Sequence, residues 1–249
     1  MKVSIITISY NSAETIEDTI KSVVAQDYPD IEYIVVDGAS KDATVSIIDK
    51  YKTNISKFVS EKDKGIYDAM NKGVSMATGD IIGILNSDDF YADSQVISDV
   101  VQKFQSEKCD GLYADLVYVD REKLDKVLRV WNAGPYFSGR FLKGWMPPHP
   151  TFFVRKKCYD QFGMYSLELK SASDYELMLR FIHKHQIRLS YLPRIITKMR
   201  AGGQSNITLK NRIRANMEDR LAWKMNNLRP GLFTLTRKPL SKLWQFMRK

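Results

Sequence analysis

Two adjacent carboxylates form the part of the sequence best suited to bind a metal ion. Asp88 and Asp89 follow Asn86 and Ser87 at the end of a short apolar run. Carboxylate and amide oxygens suit Mg²⁺ or Mn²⁺, and a protein normally shares such a cation with the phosphates of its substrate. Asn, Ser and Asp are also common turn formers. The spacing alone therefore leaves both a metal site and a capped turn open.

Other polar residues could contact a phosphorylated ligand. Asp37 also ends an apolar run and could accept hydrogen bonds from a base or a sugar, although Asp-Gly is a common turn as well. The remaining candidates lie in or just before a helical segment: Lys64, Asp68, Asn71 and Lys72. Lys64 or Lys72 could neutralise a phosphate. The alternative interpretation of these charged residues is an ordinary helix face in contact with solvent.

A general base must be a carboxylate or an imidazole within hydrogen-bond reach of the proton that it removes. Asp174 is one candidate, although a carboxylate at the start of a helix also satisfies free amide groups and the helix dipole. His149 is the second candidate, because it is fixed between two prolines. His183 and His185 have the spacing of surface residues on a helix.

The first 90 residues alternate between strand and helix patterns, and these elements must position the polar side chains. Short β-branched runs predict strands over 3–8, 31–36, 55–60 and 80–85. Apolar residues at helical spacing predict helices over 13–24, 42–51 and 66–77. This alternation favours an α/β fold with a Rossmann-like, mostly parallel central sheet flanked by helices. Ligands bind beyond the carboxyl ends of such strands, so Asp37 and residues 86–89 should share one edge.

The later part of the chain is less regular. Residues 131–150 are rich in Gly, Pro and aromatic residues, which is typical of a substrate wall or lid. The other elements predicted here are a helix near 94–106, a strand over 111–119, a strand over 151–154, a helix over 174–185 and a strand over 190–200.

The net charge of the 249-residue chain is +9, which by itself suggests nucleic acid or an anionic membrane as a partner. The charge is uneven, because residues 198–249 contain 13 basic and two acidic residues while residues 1–197 are slightly acidic. A nucleic-acid-binding module needs basic residues interleaved with aromatic residues on one surface. We therefore keep that function as a rival hypothesis and predict no nucleic-acid partner.

Composition also bounds the fold and the compartment. With 44% hydrophobic and 27% charged residues the chain is neither disordered nor collagen-like. Cys109 and Cys158 are too few for a disulfide framework and fit a reducing compartment. The N-terminus lacks the apolar region of a signal peptide, and no run of about 18 apolar residues predicts a membrane span. We therefore expect a cytoplasmic protein.

The basic residues after Lys198 predict a basic helical extension at the end of the chain, and we place it at residues 206–249, behind a domain of residues 1–205 that the family resemblance described below implies. A first helix is predicted over 209–225. A second segment has apolar residues at helical spacing: Leu240, Leu243, Trp244 and Met247. Basic helices with Trp and Leu on one face are typical of membrane interfaces, and the alternative is a terminal helix that docks on the domain. We predict peripheral contact with the anionic inner face of the cell membrane.

Several separated stretches, in this order, resemble the family 2 glycosyltransferases. They are residues 3–11, 33–40, 65–73, 78–80, 85–89, 149–153 and 173–177. The similarity covers roughly residues 1–205. It is greatest to bacterial polysaccharide-assembly members with a Gly-Ile-Tyr-Asp-Ala-Met-Asn-Lys-Gly stretch, including the colanic-acid type.

The resemblance implies the GT-A fold and an inverting transfer of a sugar from a nucleotide-diphosphate donor. The implied acceptor is a hydroxyl of a lipid-linked glycan in surface polysaccharide biosynthesis. Asp174 would be the base, His149 would lie by the acceptor or the diphosphate, and Asp88 with Asp89 would hold Mg²⁺ or Mn²⁺. The donor nucleotide would be bound by Thr7, Ser9, Asn11, Asp37, Lys64, Asp68, Asn71 and Asn86.

The sequence departs from the family pattern at two positions. Asn86 replaces the usual first Asp of the metal motif, and Ser173 stands where many relatives have Glu. A sugar nucleotidyltransferase on a similar sheet is the second rival hypothesis. That enzyme would need a glycine-rich, basic loop after the first strand, and residues 7–12 contain neither glycine nor lysine.

Overall fold

The computed structural model describes residues 1–202, 209–232 and 234–235. The helices and strands of this part of the chain follow in the order β1 (Val3–Ser9), α1 (Ile16–Val24), β2 (Ile31–Asp37), α2 (Thr44–Asp49), β3 (Lys57–Ser60), α3 (Ile66–Met76), β4 (Ile81–Ile84), β5 (Asp89–Tyr91), α4 (Val96–Glu107), β6 (Gly111–Val119), β7 (Val127–Trp131), β8 (Phe153–Arg155), α5 (Lys156–Phe162), α6 (Ser173–Met178), a π-helix (Leu179–Lys184), β9 (Leu189–Arg200) and α7 (Leu209–Met225).

The first four strands form the parallel half of one sheet, in the order β3-β2-β1-β4. β1 is buried along its whole length, because helices cover both faces of this half, which explains its unbroken apolar run. The register pairs Ser9 with Asp37, so β1 and β2 end level with each other. The predicted α/β fold is confirmed, and so is the predicted common edge.

The second half of the sheet is mixed. β8 pairs antiparallel with β4 and with β6, β9 runs parallel to β6, and β5 pairs antiparallel with β9. β7 forms an antiparallel hairpin with β6. Neither β7 nor α5 was predicted. β7 is a strand of five residues that is exposed to half-buried, and α5 buries only Cys158 and Tyr159.

Helix α3 lies unusually close to β1. A Cβ atom on Gly73 would stand 2.3 Å from Cγ2 of Ile6, so only glycine permits this approach. The buried face of α3 contains Tyr67, Met70 and Val74. The close packing fixes the height of α3 above the sheet and therefore the positions of the polar residues that it carries.

Two helix boundaries differ from the sequence-based expectation. The helix expected over 13–24 begins at Ile16, after a loop that starts at Asn11. The helix expected over 174–185 is α-helical only to Met178 and continues as the π-helix. The helix expected over 209–225 has those bounds in the structure.

Helix α7 packs against α6. Trp223 is fully buried, and its Nε1 donates a hydrogen bond to the hydroxyl of Tyr175 at 2.8 Å. Ala222, Trp223 and Leu235 belong to the same apolar core as β1 and α3. The boundary expected at residue 205 falls in 203–208, and the apolar segment expected over 240–247 falls in 236–249; both lie outside the described residues. No helix of the described part is long and apolar enough to cross a membrane.

The buried carboxylate of Glu32 ties the amino ends of the parallel strands together. It accepts hydrogen bonds from Ser4 Oγ at 2.6 Å and from the Thr78 amide at 2.7 Å, and it pairs with Lys57 Nζ at 2.9 Å. Burial alone would raise the pKa of Glu32, but these hydrogen bonds outweigh burial and hold that pKa well below its usual range. The ionised group therefore stabilises the fold.

Glu32→Gln should lower the free energy of unfolding at pH 7 by about 3 kcal/mol, because the change breaks a buried ion pair. A depressed pKa contributes stability above the pKa of the unfolded state and loses it as pH falls toward the folded value. The stability of the variant should therefore fall less steeply between about pH 5 and 3 than that of the unmodified protein. Urea unfolding against pH measures this difference, with the exposed Glu122→Gln as control. Equal slopes for the two variants would contradict the assignment.

Candidate active site

The carboxyl edge of the parallel strands is organised around the buried carboxylate of Asp37. Its Oδ1 accepts hydrogen bonds from the hydroxyls of Ser9 at 3.0 Å and Ser40 at 2.5 Å. Its Oδ2 accepts from the amide of Ser40 at 2.9 Å and from the hydroxyl of Ser60 at 2.7 Å. A carboxylate has about four acceptor positions, so the chain itself fills those of Asp37. Asp37 holds three loops together, and its expected contact with a nucleotide stays a prediction.

Thr7 and Asn11 lie on either side of Ser9 but in different surroundings. Thr7 is fully buried, and its hydroxyl accepts a hydrogen bond from the hydroxyl of Tyr33 at 3.1 Å. Asn11 is exposed and left-handed, with φ +48°, and its Oδ1 accepts from the amide of Lys41 at 2.9 Å. The structure therefore brings Ser9 and Asn11 to the edge and leaves the Thr7 side chain in the core beneath it.

Tyr10 was expected at this edge but was not among the predicted nucleotide-binding residues, yet its ring is an open aromatic surface there. Its side chain is 58% exposed and lies beside Gly38. A Cβ atom on Gly38 would stand 3.3 Å from Cδ2 of Tyr10 and 3.0 Å from Oδ2 of Asp63. The missing side chain therefore lets this loop approach the ring and the carboxylate closely, and the open ring of Tyr10 is a face on which a nucleobase could stack. The signal in the sequence is an exposed aromatic residue directly after a buried strand.

The charged residues around α3 are largely engaged with one another. Lys72 Nζ pairs with Glu61 at 2.8 Å and with Asp63 at 2.5 Å, and hydrogen bonds to both carboxylates raise its pKa. The amide of Lys64 donates to Asp68 Oδ2 at 2.9 Å. Lys64 has an exposed side chain. Of the two lysines that could meet a phosphate, Lys64 is therefore the more available.

Asn71 uses both ends of its amide on the backbone of Tyr165. Its Nδ2 donates to the carbonyl of Tyr165 and its Oδ1 accepts from the amide of Tyr165, both at 2.9 Å. Asp68, Asn71 and Lys72 also line an open groove of about 480 Å³ beside α3. Asn71 thus fixes the loop that carries Tyr165, and its contact with a donor sugar stays a prediction.

The turn between β4 and β5 contains buried oxygen atoms that no group satisfies. Asn86 Nδ2 donates to Asp89 Oδ2 at 3.2 Å. Asn86 Oδ1 and Asp89 Oδ1 are buried and have no hydrogen-bond partner in the described part of the chain. Buried polar atoms are nearly always partnered in proteins, so these oxygens are positions that a water molecule, a cation or a ligand would satisfy.

Electrostatics supports the same interpretation of this turn. Burial raises the pKa of Asp88, and burial together with the charge of Asp88 raises that of Asp89 well above its usual range. A divalent cation would relieve both effects. Among residues 1–202, 209–232 and 234–235, no three His, Cys, Asp or Glu side chains form a cluster that could hold a metal ion. The donor set is therefore two carboxylates and one amide, which suits a cation that a substrate diphosphate also binds.

Arg200, the last residue of β9, supports this turn and was not predicted. It is 3% exposed, its Nη1 donates to the carbonyl of Asp88 at 2.9 Å, and its Nη2 bonds the carboxylate of Asp18. Its guanidinium also lies over the ring of Phe90, 5.0 Å from the centroid. Only the pairing of β9 with β5 brings this arginine to the turn, so local sequence gives no signal for it.

A second group of residues surrounds Asp174 in the first turn of α6. Tyr67 of α3 donates its hydroxyl to Asp174 Oδ1 at 3.2 Å. Its ring stacks on Tyr165 with centroids 5.8 Å apart, and the hydroxyl of Tyr165 bonds His149 Nε2 at 2.9 Å. Ser173, beside Asp174, is fully buried with an unpartnered Oγ in the described structure. The two predicted base candidates thus lie in one network.

Protonation in this network follows from burial. Burial raises the pKa of Tyr67, and the charge of Asp174 raises it further, so Tyr67 remains a hydroxyl donor. Burial lowers the pKa of His149, and the charge of Asp174 only partly offsets this effect. His149 is therefore neutral near pH 7, but it is buried and its Nε2 is bonded to Tyr165, whereas Asp174 is half-buried and more accessible to a ligand.

The loop over 131–150 packs against α6 and was expected to form a wall. Phe141 is fully buried and contacts Tyr175 at a ring distance of 6.1 Å. Trp145 Nε1 donates to the carbonyl of Ala133 at 2.9 Å, which folds the loop back on itself. Tyr175, the residue after Asp174, therefore contacts Phe141 of this loop on one side and Trp223 of α7 on the other.

The mixed sheet with helices on both faces of its parallel half is the GT-A fold of glycosyltransferases. The model of the family "Glycosyl transferase family 2" matches residues 4–157, and the chain belongs to that family. An uncharacterized glycosyltransferase of Mycobacterium tuberculosis, Rv1514c, is 34% identical over 180 residues, which cover 72% of this chain and 68% of the relative. The PGL/p-HBAD biosynthesis glycosyltransferase Rv2957 of the same species is 26% identical, with coverage of 82% and 78%.

Two solved structures have the same fold. TarS 1–349 of S. aureus in complex with UDP-GlcNAc aligns with a TM-score of 0.70 and 19% identity, over 95% of this chain and 69% of that one. The mannosyltransferase PcManGT of Pyrobaculum calidifontis, in complex with GDP-Man and Mn²⁺, gives 0.69 and 20%, over 99% and 72%. At these identities the likeness concerns the fold.

Asn86→Asp should destabilise the metal-free protein by about 1–3 kcal/mol, because it replaces a donor to Asp89 with a third negative charge. The same change should enlarge the stabilisation that Mn²⁺ provides. Thermal unfolding in EDTA and in Mn²⁺ measures both effects, with the exposed Asn54→Asp as control. An Asn86→Asp protein that matches the control in both solutions would show that the turn is no cation site.

Proposed function

We propose that this chain is an inverting hexosyltransferase that moves a sugar from a nucleoside-diphosphate donor to a hydroxyl of a lipid-linked glycan. The observation that carries the proposal is the pair of orphaned oxygens, Asn86 Oδ1 and Asp89 Oδ1, at the carboxyl edge of the parallel strands. A diphosphate with its cation is the ligand that satisfies such atoms. We place the reaction in surface polysaccharide assembly on the cytoplasmic side of the membrane.

The donor nucleotide is proposed to lie along the edge formed by Ser9, Asn11 and the loop that Asp37 holds. The exposed ring of Tyr10 offers a stacking face for the base, and Asp63 offers an acceptor for a base N–H. Proteins of this fold bind UDP-GlcNAc and GDP-Man, as TarS and PcManGT do. Lys64 and Asp68 stand at the start of α3, where the donor sugar and its phosphates would extend.

The oxygens of Asp88, Asp89 and Asn86 fit a hard divalent cation, because two are orphaned and both carboxylates are destabilised by burial. When bound, Mg²⁺ or Mn²⁺ supplies charge neutralisation for the departing diphosphate. Arg200 holds the backbone of Asp88 and so keeps the turn in one conformation. A fixed turn needs little reorganisation when negative charge develops on the leaving group.

Asp174 is proposed to remove the proton from the acceptor hydroxyl as that oxygen attacks the anomeric carbon. Attack from the face opposite the leaving diphosphate inverts the configuration at that carbon. The hydroxyl of Tyr67 bonds one oxygen of Asp174 and leaves the other free to face the acceptor. His149 belongs to the same network through Tyr165, and with its Nε2 bonded there its other ring nitrogen is proposed to contact an acceptor oxygen.

Asp174→Asn should keep the fold and the affinity for a nucleoside diphosphate while the rate of transfer falls about 10²–10⁴-fold, since one positioned base contributes that much. A screen of nucleotide sugars for thermal stabilisation in Mn²⁺ selects the donor for this assay. Asp160→Asn, an exposed carboxylate change in α5, is the control. Undiminished turnover of Asp174→Asn, or a product that retains its anomeric configuration, would overturn the mechanism.

Tyr67→Phe should lower kcat about tenfold and leave the KM for the donor unchanged, because it removes one hydrogen bond that orients Asp174. Tyr51→Phe is the matched control, since the Tyr51 hydroxyl also donates to a carboxylate, that of Glu17 at 2.7 Å, on another face. Steady-state kinetics of the two variants measure kcat and the KM for the donor. Equal kcat values for the two would show that Tyr67 does not position the base.

A further inference from the structure

Helix α7 has two faces that differ sharply in charge. The inner face is buried against the domain through Ala222, Trp223 and Asn226, and Asn226 Nδ2 donates to Glu176 at 2.9 Å. The outer face is exposed over Arg214, Met217, Arg220, Leu221 and Lys224. Residues three, four and seven positions apart share one side of a helix, so these side chains form one continuous surface. We call these five residues the outer face of α7.

The acidic residues of α7 are directed inward. Glu218 is half-buried and accepts a hydrogen bond from the amide of Ser171 at 2.7 Å, and Asp219 is 6% exposed. The charged side chains that α7 exposes over 214–225 are therefore basic. This distribution leaves a helix surface of uniform positive sign.

The apolar members of the outer face are unusually open. Met217 is 67% and Leu221 is 39% exposed, and they lie one turn apart between the basic residues. Beyond α7, Leu232 is 96% exposed. The hydroxyl of nearby Thr234 donates to the carbonyl of Leu142 at 2.6 Å, which places this segment beside the exposed Leu142 and Lys143. Open apolar residues among cations therefore recur next to α7.

We propose that the outer face of α7 binds the surface of an anionic lipid bilayer. Arg214, Arg220 and Lys224 match the negative headgroups, and each basic residue near an anionic leaflet strengthens binding about fivefold. Met217 and Leu221 would enter the boundary between headgroups and acyl chains, as the apolar residues of interfacial helices do. Phosphates of nucleic acid would meet the cations but would gain nothing from these two apolar side chains.

The position of α7 relative to Asp174 gives this surface a consequence for the substrate. The inner face of α7 touches α6 through the bond between Trp223 and Tyr175, the residue that follows Asp174. A helix is about 10 Å thick, so the bilayer would lie roughly one helix diameter beyond α6. This step rests on the proposed function: the acceptor that reaches Asp174 would be a lipid-linked glycan that stays anchored in that bilayer.

Co-sedimentation of the full chain with vesicles tests the surface directly. We expect binding to vesicles of phosphatidylglycerol and phosphatidylcholine, at least tenfold weaker binding to phosphatidylcholine alone, and weaker binding at high salt. Met217→Ser with Leu221→Ser should reduce binding about tenfold or more. Arg220→Gln with Lys224→Gln should reduce it roughly 20-fold on anionic vesicles only.

Matched controls separate this face from other surfaces. Val127→Ser with Leu128→Ser removes two exposed apolar residues from the β7 hairpin, and Lys50→Gln with Lys52→Gln removes two exposed charges near α2. Both control proteins should bind vesicles like the unmodified chain. Because all the substituted side chains are exposed, each protein should also keep its thermal unfolding temperature.

Several results would overturn the proposal. Vesicle binding that both α7 variants retain would exclude this face as the contact. A dimer in light scattering that becomes monomeric in Met217→Ser with Leu221→Ser would identify the partner as a second copy of the chain. Binding to duplex DNA but not to vesicles would identify nucleic acid. Vesicle binding needs no turnover, so its loss and the loss of activity in Asp174→Asn report on separate claims.

Discussion

The site depends on one geometric constraint, the level ending of adjacent parallel strands. Because Ser9 pairs with Asp37 in register, the loops after β1 and β2 begin at the same height and can share one carboxylate. β4 ends beside them, and the hydroxyls of Ser12 and Ser87 join the loop after β1 to the acidic turn at 2.8 Å. A slip of one residue would turn every side chain of a strand to the other face. The buried runs of Val and Ile that prevent such a slip therefore also determine where the polar residues meet.

The acidic turn is locally unfavourable for the stability of the fold. Asp88 and Asp89 lie close together in a buried position, where each disfavours ionisation of the other, and two oxygens remain unpartnered. The chain limits this destabilisation in two ways. Arg200 brings a positive charge against the backbone of the turn, and Asn86 donates a hydrogen bond from its amide to Asp89. An Asn rather than an Asp at position 86 thus avoids a third negative charge in the buried turn.

The difference between what could and could not be predicted follows from the range of the interactions. Strands, helices and the common edge near Asp37 follow from hydrophobic periodicity, which is local. Tyr67 and Asp174 are separated by 107 positions, and Arg200 and Asp88 by 112, so no local pattern reveals that they meet. Asn71 was predicted from its type and its helix face, but its partner is a backbone segment far along the chain. β7 escaped prediction because it is only five residues long, is interrupted by Arg129 and depends on its distant pairing with β6.

The net charge of +9 takes its meaning from α7 rather than from the total. An amphipathic helix is usually recognised by a single apolar stripe. Helix α7 does not show this pattern, because its apolar residues lie on two sides of the helix. One contains Trp223 and is buried on α6, and the other contains Met217 and is open. The acidic residues belong to the first stripe and the basic residues to the second. The proposed contact with an anionic bilayer rests on this second stripe, because it places apolar side chains among basic ones.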